Sequence, residues 1–332
     1  MMLMLVVALV TVVDGQVIRI GIGSCAHQDS TQVVWDAVAE WEPDLFVHLG
    51  DAVYADTQDS LAMRSTYLKG FGNPKFKSIR KQVPFLATWD DHDYGTNDAG
   101  ASYPMRRASQ ALFLEFWDES DSSERRLRDG LYGSKVINKN GHLVRVILLD
   151  TCFFRSDWSK DSSTGRRYEQ DRDPRKTMLG EAQWAWLERE LQQPADLRLI
   201  ASSVQVINDE HGWECWGNFP LERERILNLV QARPKIATVF VSGDRHFTEL
   251  SRVTVEGQPM YDLTASGLTQ VAVTGHKVPN SRRVGDPVSV QNFAGVTLDF
   301  KSGTIAFEGI TAAGDVAFAH IVPLYELMDG SQ

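Results

Sequence analysis

Within nine residues, Asp90, Asp91, His92, Asp93, Asn97 and Asp98 place four carboxylates, an imidazole and an amide in one stretch. That many anions cannot be buried without a cation or a full set of hydrogen-bond partners. The apolar run Phe85-Leu86-Ala87 ahead of the cluster predicts a strand that ends where the cluster begins. Gly95 and Gly100 loosen the loop that follows. A strand end carrying acids and imidazole is where an α/β protein places a metal. Taken alone, the stretch also reads as a solvated acidic turn.

Three other strand-like segments end in similar chemistry. Val17 to Ile22 alternates and runs into Gly23-Ser24-Cys25-Ala26-His27; Leu45 to Leu49 runs into Gly50-Asp51. Ala237 to Val241 runs into Ser242-Gly243-Asp244-Arg245-His246, where the alternation lets Asp244 and His246 face one centre. Thiolate, carboxylate and imidazole are all first-row metal ligands. Four such tips predict a centre with two or more metal ions, and Asp51, a lone acid after a strand and a glycine, is the natural bridge. Ions about 3.5–4 Å apart lower the pKa of a water, aim the hydroxide at phosphorus and hold the transferring oxygens. A nearby arginine or histidine would neutralise charge or protonate the leaving oxygen. Tyr54 reads as support for such a site or as core packing.

The elements that must position these tips follow from periodicity. Gln32 to Trp41 has apolar residues at helical spacing between the first two strands, which gives a βαβ start with parallel strands. Leu61 to Arg80 is helical, carries Tyr67 and breaks around Gly70 to Pro74; Ala101 to Trp117 is the next helix. Near its start, Arg106 and Arg107 are candidate contacts for an anionic substrate. Leu131 to Ser134 and Leu143 to Leu149 read as antiparallel strands around the turn Asn138-Lys139-Asn140-Gly141. The charged, aperiodic run Arg155 to Lys176 reads as a long surface loop at the substrate mouth. Gly180 to Leu191 and Leu221 to Gln231 are helices around the strand Leu197 to Ser202, and Met260 to Ser266, Val296 to Phe300 and Thr304 to Glu308 are later strands. Between the strand and the second helix, Trp213 and Trp216 flank Glu214 beside His211 and suggest a rim that orders a site. Gly275 to Gly285, with His276, Arg282 and Arg283, reads as a second loop near the ligand.

Composition narrows the function classes. The 332 residues, 43% hydrophobic, suffice for a large α/β core. Forty-four acids against 34 Lys and Arg leave no basic stripe, so nucleic-acid binding is not expected. Three cysteines, Cys25, Cys152 and Cys215, with no C-x-x-C, exclude a disulfide framework and leave room for one pair. Met1 to Val13 is apolar, of signal-peptide length and too short for a span; a secretory segment is favoured over a first core strand. No transmembrane helix is expected, and residues 16–332 read as one domain. Neither a dinucleotide glycine fingerprint, a P-loop nor G-x-S-x-G is present.

GSCAHQ from Gly23, HLGDAVYAD from His48, WDDHDYGTND from Trp89 and SGDRHF from Ser242, in that order, resemble the PhoD-like alkaline phosphatase family of metallophosphatases. HGWECWGNFPLERER from His211, PNSRRVG from Pro279 and QNF from Gln291 resemble its short exported branch. The resemblance implies an α/β four-layer sandwich, two mixed β-sheets enclosed by helices. It implies a phosphomonoesterase or phosphodiesterase of a family in which some members hold iron with calcium, the metals expected here. By motif match, Cys25, Asp51, Asp90 or Asp91, Asn97, Asp244 and His246 would be metal ligands, Tyr67 the tyrosine ligand, and His92 the acid or phosphate contact. The sequence departs from the family pattern near Tyr67, where Met63-Arg64 replaces the usual tyrosine-arginine pair. With Arg106, Arg107 and His211 as candidate substrate contacts, the expectation is a secreted or periplasmic phosphoester hydrolase. Its partner would be a small-molecule phosphoester or, alternatively, a lipid or polymer phosphodiester. A non-catalytic metal-binding protein is the alternative outside enzymes.

Overall fold

A computed structural model describes residues 16–328, so the secretory-segment expectation lies outside the described residues. The strands are β1 (Val17–Gly23), β2 (Leu45–Leu49), β3 (Phe85–Thr88), β4 (Gly133–Lys139), β5 (His142–Leu148), β6 (Leu197–Ala201), β7 (Ala237–Ser242), β8 (Thr248–Val255), β9 (Gln258–Ala265), β10 (Arg283–Val288), β11 (Asn292–Asp299), β12 (Thr304–Thr311) and β13 (Val316–Pro323). The helices are α1 (Val34–Trp41), α2 (Ser60–Phe71), α3 (Pro74–Gln82), α4 (Asp91–Tyr94), α5 (Arg106–Phe116), α6 (Gly180–Glu190) and α7 (Pro220–Gln231).

Two mixed sheets form. One has the order β13-β12-β11-β1-β2-β3, the other β10-β8-β9-β7-β6-β5-β4. In the first, β1, β2 and β3 are parallel and β11 runs antiparallel to β1. In the second, β5, β6, β7 and β9 are parallel, with β4 and β8 antiparallel at their flanks. The period of two in each strand decides which residues meet. On β2, Leu45, Val47 and Leu49 join Ile18, Ile20 and Ile22 of β1 between the sheets, facing Leu197, Leu199, Val239 and Val241 of the second sheet. Phe46 points the other way, into a layer with Trp35 of α1, Phe71 of α2, Phe76 of α3 and Phe113 of α5. On the far side Ile200 and Phe240 pack under Trp184 and Leu187 of α6 and Ile226 and Val230 of α7. Helix, sheet, sheet, helix is the expected sandwich.

Some elements differ from the sequence reading. Asp91–Tyr94 forms a helical turn, not open loop, because the Asp93 carboxylate accepts the Asp90 N–H at 2.7 Å and closes it. The Gly275 to Gly285 loop ends in a strand, β10, which pairs with β8 from Arg283. Strands β8 and β13 carried no clear signal in the sequence; β13 is an edge strand with most of its side chains exposed or half-exposed. The three cysteines are free and buried, so no disulfide forms among them.

Candidate metal centre

Every candidate tip follows the C-terminal end of a parallel strand: Cys25 follows β1, Asp51 β2, Asp90 and Asp91 β3, and Asp244 and His246 β7. The two sheets therefore deliver their chemistry to one rim. The tips are tied to each other by backbone: Cys25 N–H donates to Gly50 O at 3.3 Å, and Ala26 N–H to Asp51 O at 2.8 Å. Asp93 ties β2 to β3, its carboxylate accepting from Ala52 N–H at 3.0 Å as well as from Asp90. Gly50, at φ 105°, lies so close to the third tip that a Cβ there would stand 2.5 Å from Asp90. Only glycine fits.

Four candidate ligands have left-handed backbones: Cys25 (φ 66°), Asp51 (54°), Asp244 (70°) and His246 (62°). Such a conformation costs a non-glycine residue on the order of 1–3 kcal/mol. Its clustering at the strand tips marks a site that the surrounding fold holds in place. Ligand atoms of Cys25, Asp51 and His246 lie within 4.8 Å of one another, and so do those of Asp51, Asp91 and His92. Asp51 belongs to both groups, and its buried Oδ1 has no hydrogen-bond partner. Cys25 Sγ is 3.5 Å from Asp51 Oδ2. A carboxylate common to a sulfur–nitrogen group and an oxygen-rich group, with one oxygen left open, fits two bound cations. Without a cation, burial and then the charges of Asp91 and Asp90 push the Asp51 carboxyl well up. Burial, followed by Asp51, does the same to the Cys25 thiol. Burial also raises Asp91, to about 6. A cation reverses this balance.

A family model for PhoD-like phosphatases matches residues 20–292. The chain belongs to the PhoD-like phosphatase family. It is 23% identical over 260 residues to alkaline phosphatase D of Bacillus subtilis (strain 168), a match covering 66% of this chain and 44% of that protein. The chain thus spans less than half the length of that curated relative. A solved structure of PhoD superposes with a TM-score of 0.75 at 17% identity, covering 93% of this chain and 68% of the other. A dimetal phosphatase from Danio rerio superposes at 0.54 with 14% identity, covering 92% and 99%. These likenesses carry the fold.

In this PhoD-like chain Asp90 and Asp91 both line a narrow cleft with Asp98, Glu214 and Asp244. Only Asp91 stands in a ligand group with Asp51; Asp90 accepts from the Ser203 hydroxyl at 2.6 Å. His92 has its Nδ1 2.8 Å from Asp56 and its ring 4.3 Å from that of Tyr54. Burial alone would lower its pKa, but the Asp56 hydrogen bond and the charges of Asp91 and Asp56 prevail and raise it to about 9. Tyr67 is buried between α2 and α5, stacked on Phe116, and donates to Asp93 O at 2.9 Å. The hydroxyl that does reach the ligand group is that of Tyr54, 3.3 Å from His246 Nε2. Asn97 is exposed: its N–H donates to Asp56 at 2.9 Å while Asp98, left-handed at φ 64°, turns into the cleft instead.

The expected substrate contacts divide. Arg106 holds Ala101 O and Phe153 O at 3.1 and 3.2 Å; Arg107 is paired with Asp129 at 2.8 Å. Neither lines the cleft, because the start of α5 turns both toward backbone and surface partners. His211 is buried, its Nδ1 accepting from Trp213 N–H at 3.2 Å and its Nε2 unpartnered. Burial, then Arg245 and Arg166, hold its pKa well down. Trp213 is 46% exposed and is a rim residue, but Trp216 is core, donating to the Ser202 hydroxyl at 3.0 Å. The Arg155 to Lys176 loop is anchored by Arg155 itself, which is buried and binds Asp98 O at 2.9 Å. Sequence reasoning passed over Asp56, Ser203 and Arg245. Only the last left a signal, a cation between two ligand-type residues.

Proposed function

We propose that this chain is a metal-dependent phosphoester hydrolase, an alkaline phosphatase-like phosphomonoesterase with two or more ions at the strand tips. The observation that carries the reading is Asp51, shared by both ligand groups with its Oδ1 left open. The thiol of Cys25 and imidazole of His246 suit iron, and the carboxylates of Asp51 and Asp91 suit calcium. Asp90 and Asp244, lining the cleft beside them, complete the acid set in this reading. Tyr54 takes the part expected of Tyr67; Asp98 lines the cleft where Asn97 does not, but its carboxylate is taken by Arg167 and Tyr168.

Bound ions would lower the pKa of a water and neutralise the charge of the phosphoryl group. The protein side supplies the rest. Asp56 fixes His92 through Nδ1, which leaves Nε2 to carry a proton to the leaving oxygen. The left-handed tips hold the ligand side chains before anything binds, so no reorganisation is needed during reaction. A secreted or periplasmic location fits the apolar Met1 to Val13 stretch.

The test is elemental analysis of protein purified without added metal, together with hydrolysis of p-nitrophenyl phosphate and bis-p-nitrophenyl phosphate. Iron with calcium, and activity lost on chelation, supports the reading; the substrate ratio decides monoester against diester. No metal and no hydrolysis after reconstitution would sink the enzyme reading; bound metal without hydrolysis would leave the non-catalytic alternative.

A further inference from the structure

We propose that Arg245 is the residue with which this centre grips a phosphoryl oxygen of its substrate, and that it biases the site toward phosphomonoester dianions. The inference rests on the phosphoesterase reading above and assigns its substrate preference to one side chain.

Arg245 stands between Asp244 and His246 in the turn from β7 to β8. In an extended tip the middle residue of three would point away from the other two. Here both neighbours are left-handed, and the turn keeps the guanidinium beside the centre. Its Nη1 is 3.3 Å from Asp244 Oδ2, and the side chain is 9% exposed. Its buried Nε has no partner. A buried guanidinium with an open donor requires an acceptor. The one carboxylate it pairs with is a candidate ligand, whose charge a cation would take up.

The surroundings hold Arg245 without satisfying it. Its guanidinium lies 5.6 Å from the centroid of the exposed Trp213 ring, within cation–π range. Arg167 approaches the same ring at 5.4 Å, but the two cations differ. Arg167 is ion-paired with Asp98 and lies 3.7 Å from Glu214 Oε1, so its charge is matched inside the fold. The buried Nε2 of His211, whose Nδ1 accepts from Trp213 N–H at 3.2 Å, is also left without a partner. Arg245 Nε and His211 Nε2 are thus two buried polar atoms left open in this part of the fold.

A monoester dianion presents three non-bridging oxygens and two charges. A diester presents two such oxygens and one charge, with its second substituent where the third oxygen would be. A buried guanidinium that takes the third oxygen therefore discriminates by charge and by space.

The experiment uses the metal-loaded full chain and the variants Arg245→Ala and Arg245→Gln. It measures metal content, affinity for inorganic phosphate by titration calorimetry, and kcat/KM for p-nitrophenyl phosphate and bis-p-nitrophenyl phosphate. Both variants should keep their metals. Phosphate affinity and monoester kcat/KM should fall about tenfold to a hundredfold, while diester kcat/KM changes less than about threefold. Equal losses on both substrates, or unchanged phosphate affinity, would overturn the proposal. Loss of metal in both variants would also overturn it, since Arg245 would then serve Asp244 and not the substrate. A fully loaded parent protein that hydrolyses neither ester would instead sink the phosphoesterase reading, and phosphate affinity would still report on Arg245 by itself.

Discussion

The Tyr54 hydroxyl, delivered by one sheet, lies 3.3 Å from Nε2 of His246, delivered by the other. Burial and then the neighbouring Cys25 push the Tyr54 phenol well up, so in the absence of a cation it stays neutral. The contact places a phenolic oxygen at the sulfur–nitrogen end of the centre, where Tyr67 does not reach. Tyr54→Phe should therefore weaken binding of the transition metal about tenfold to a hundredfold, the range for partners of a metal site. Tyr67→Phe should leave metal content unchanged and cost about 1 kcal/mol for its lost hydrogen bond to Asp93. Metal titration and denaturant unfolding of the two variants check this. The reverse pattern would return Tyr67 to the ligand set.

In the proposed mechanism His92 carries the proton, with its Nδ1 on Asp56 and its ring against that of Tyr54. A general acid matters most when the leaving alcohol is poor. His92→Ala should lower kcat/KM about a hundredfold for an alkyl phosphate, and far less for nitrophenyl phosphate, whose leaving group needs no proton. Asp56→Asn should reproduce a fraction of that split. Equal losses on both substrates would instead make His92 a phosphate contact.

Asp51 lies between like charges, and its carboxyl is pushed up by burial first and then by Asp91 and Asp90. Its replacement by asparagine removes the shared ligand and also a buried charge that the metal-free fold must tolerate. Asp51→Asn should abolish hydrolysis to background and lose both ions. The metal-free variant should melt no lower than the metal-free parent, and only the parent should gain on adding metal. A metal-free variant that melts well below the parent would make Asp51 a structural acid.

Much of the candidate site was legible because strand ends and side-chain period carry it. Cys25, Asp51, Asp91 and His246 were readable as residues following alternating or apolar runs, and the order of the motifs matched the family. What was hidden depends on backbone that local patterns do not encode. Asn97 and Asp98 differ by one position, and a left-handed turn at Asp98 decides which of them enters the cleft. The sequence reading took Tyr67 as the tyrosine ligand and Tyr54 as support or core; the packing of α2 against α5 commits Tyr67 to the core instead. Arg245 was masked by the assumption of a flat strand tip. Arg106 and Arg107 looked like substrate contacts by charge alone, which says nothing about the face of α5 they occupy.

His48 gives a prediction that is independent of the metal. It lies in the middle of the buried strand β2, on the face away from Leu45, Val47 and Leu49, with its ring 5.4 Å from that of Trp117. Neither of its ring nitrogens has a partner. Burial lowers its pKa from 6.5 to about 3. Because the folded state holds the neutral ring, the unfolded state takes up a proton first as pH falls through 6.5, and stability is lost from there down to about pH 3. At pH 5 this single group costs the fold about 2 kcal/mol relative to neutral pH. His48→Leu keeps the volume near that of the imidazole and removes the titration. At neutral pH the variant should be as stable as the parent or more stable, since two unsatisfied nitrogens are gone. Denaturant unfolding at pH 7.5 and pH 5 should show the advantage of the variant growing by about 2 kcal/mol at the lower pH. A difference that stays constant between the two pH values would mean that the ring is partnered or hydrated in the fold.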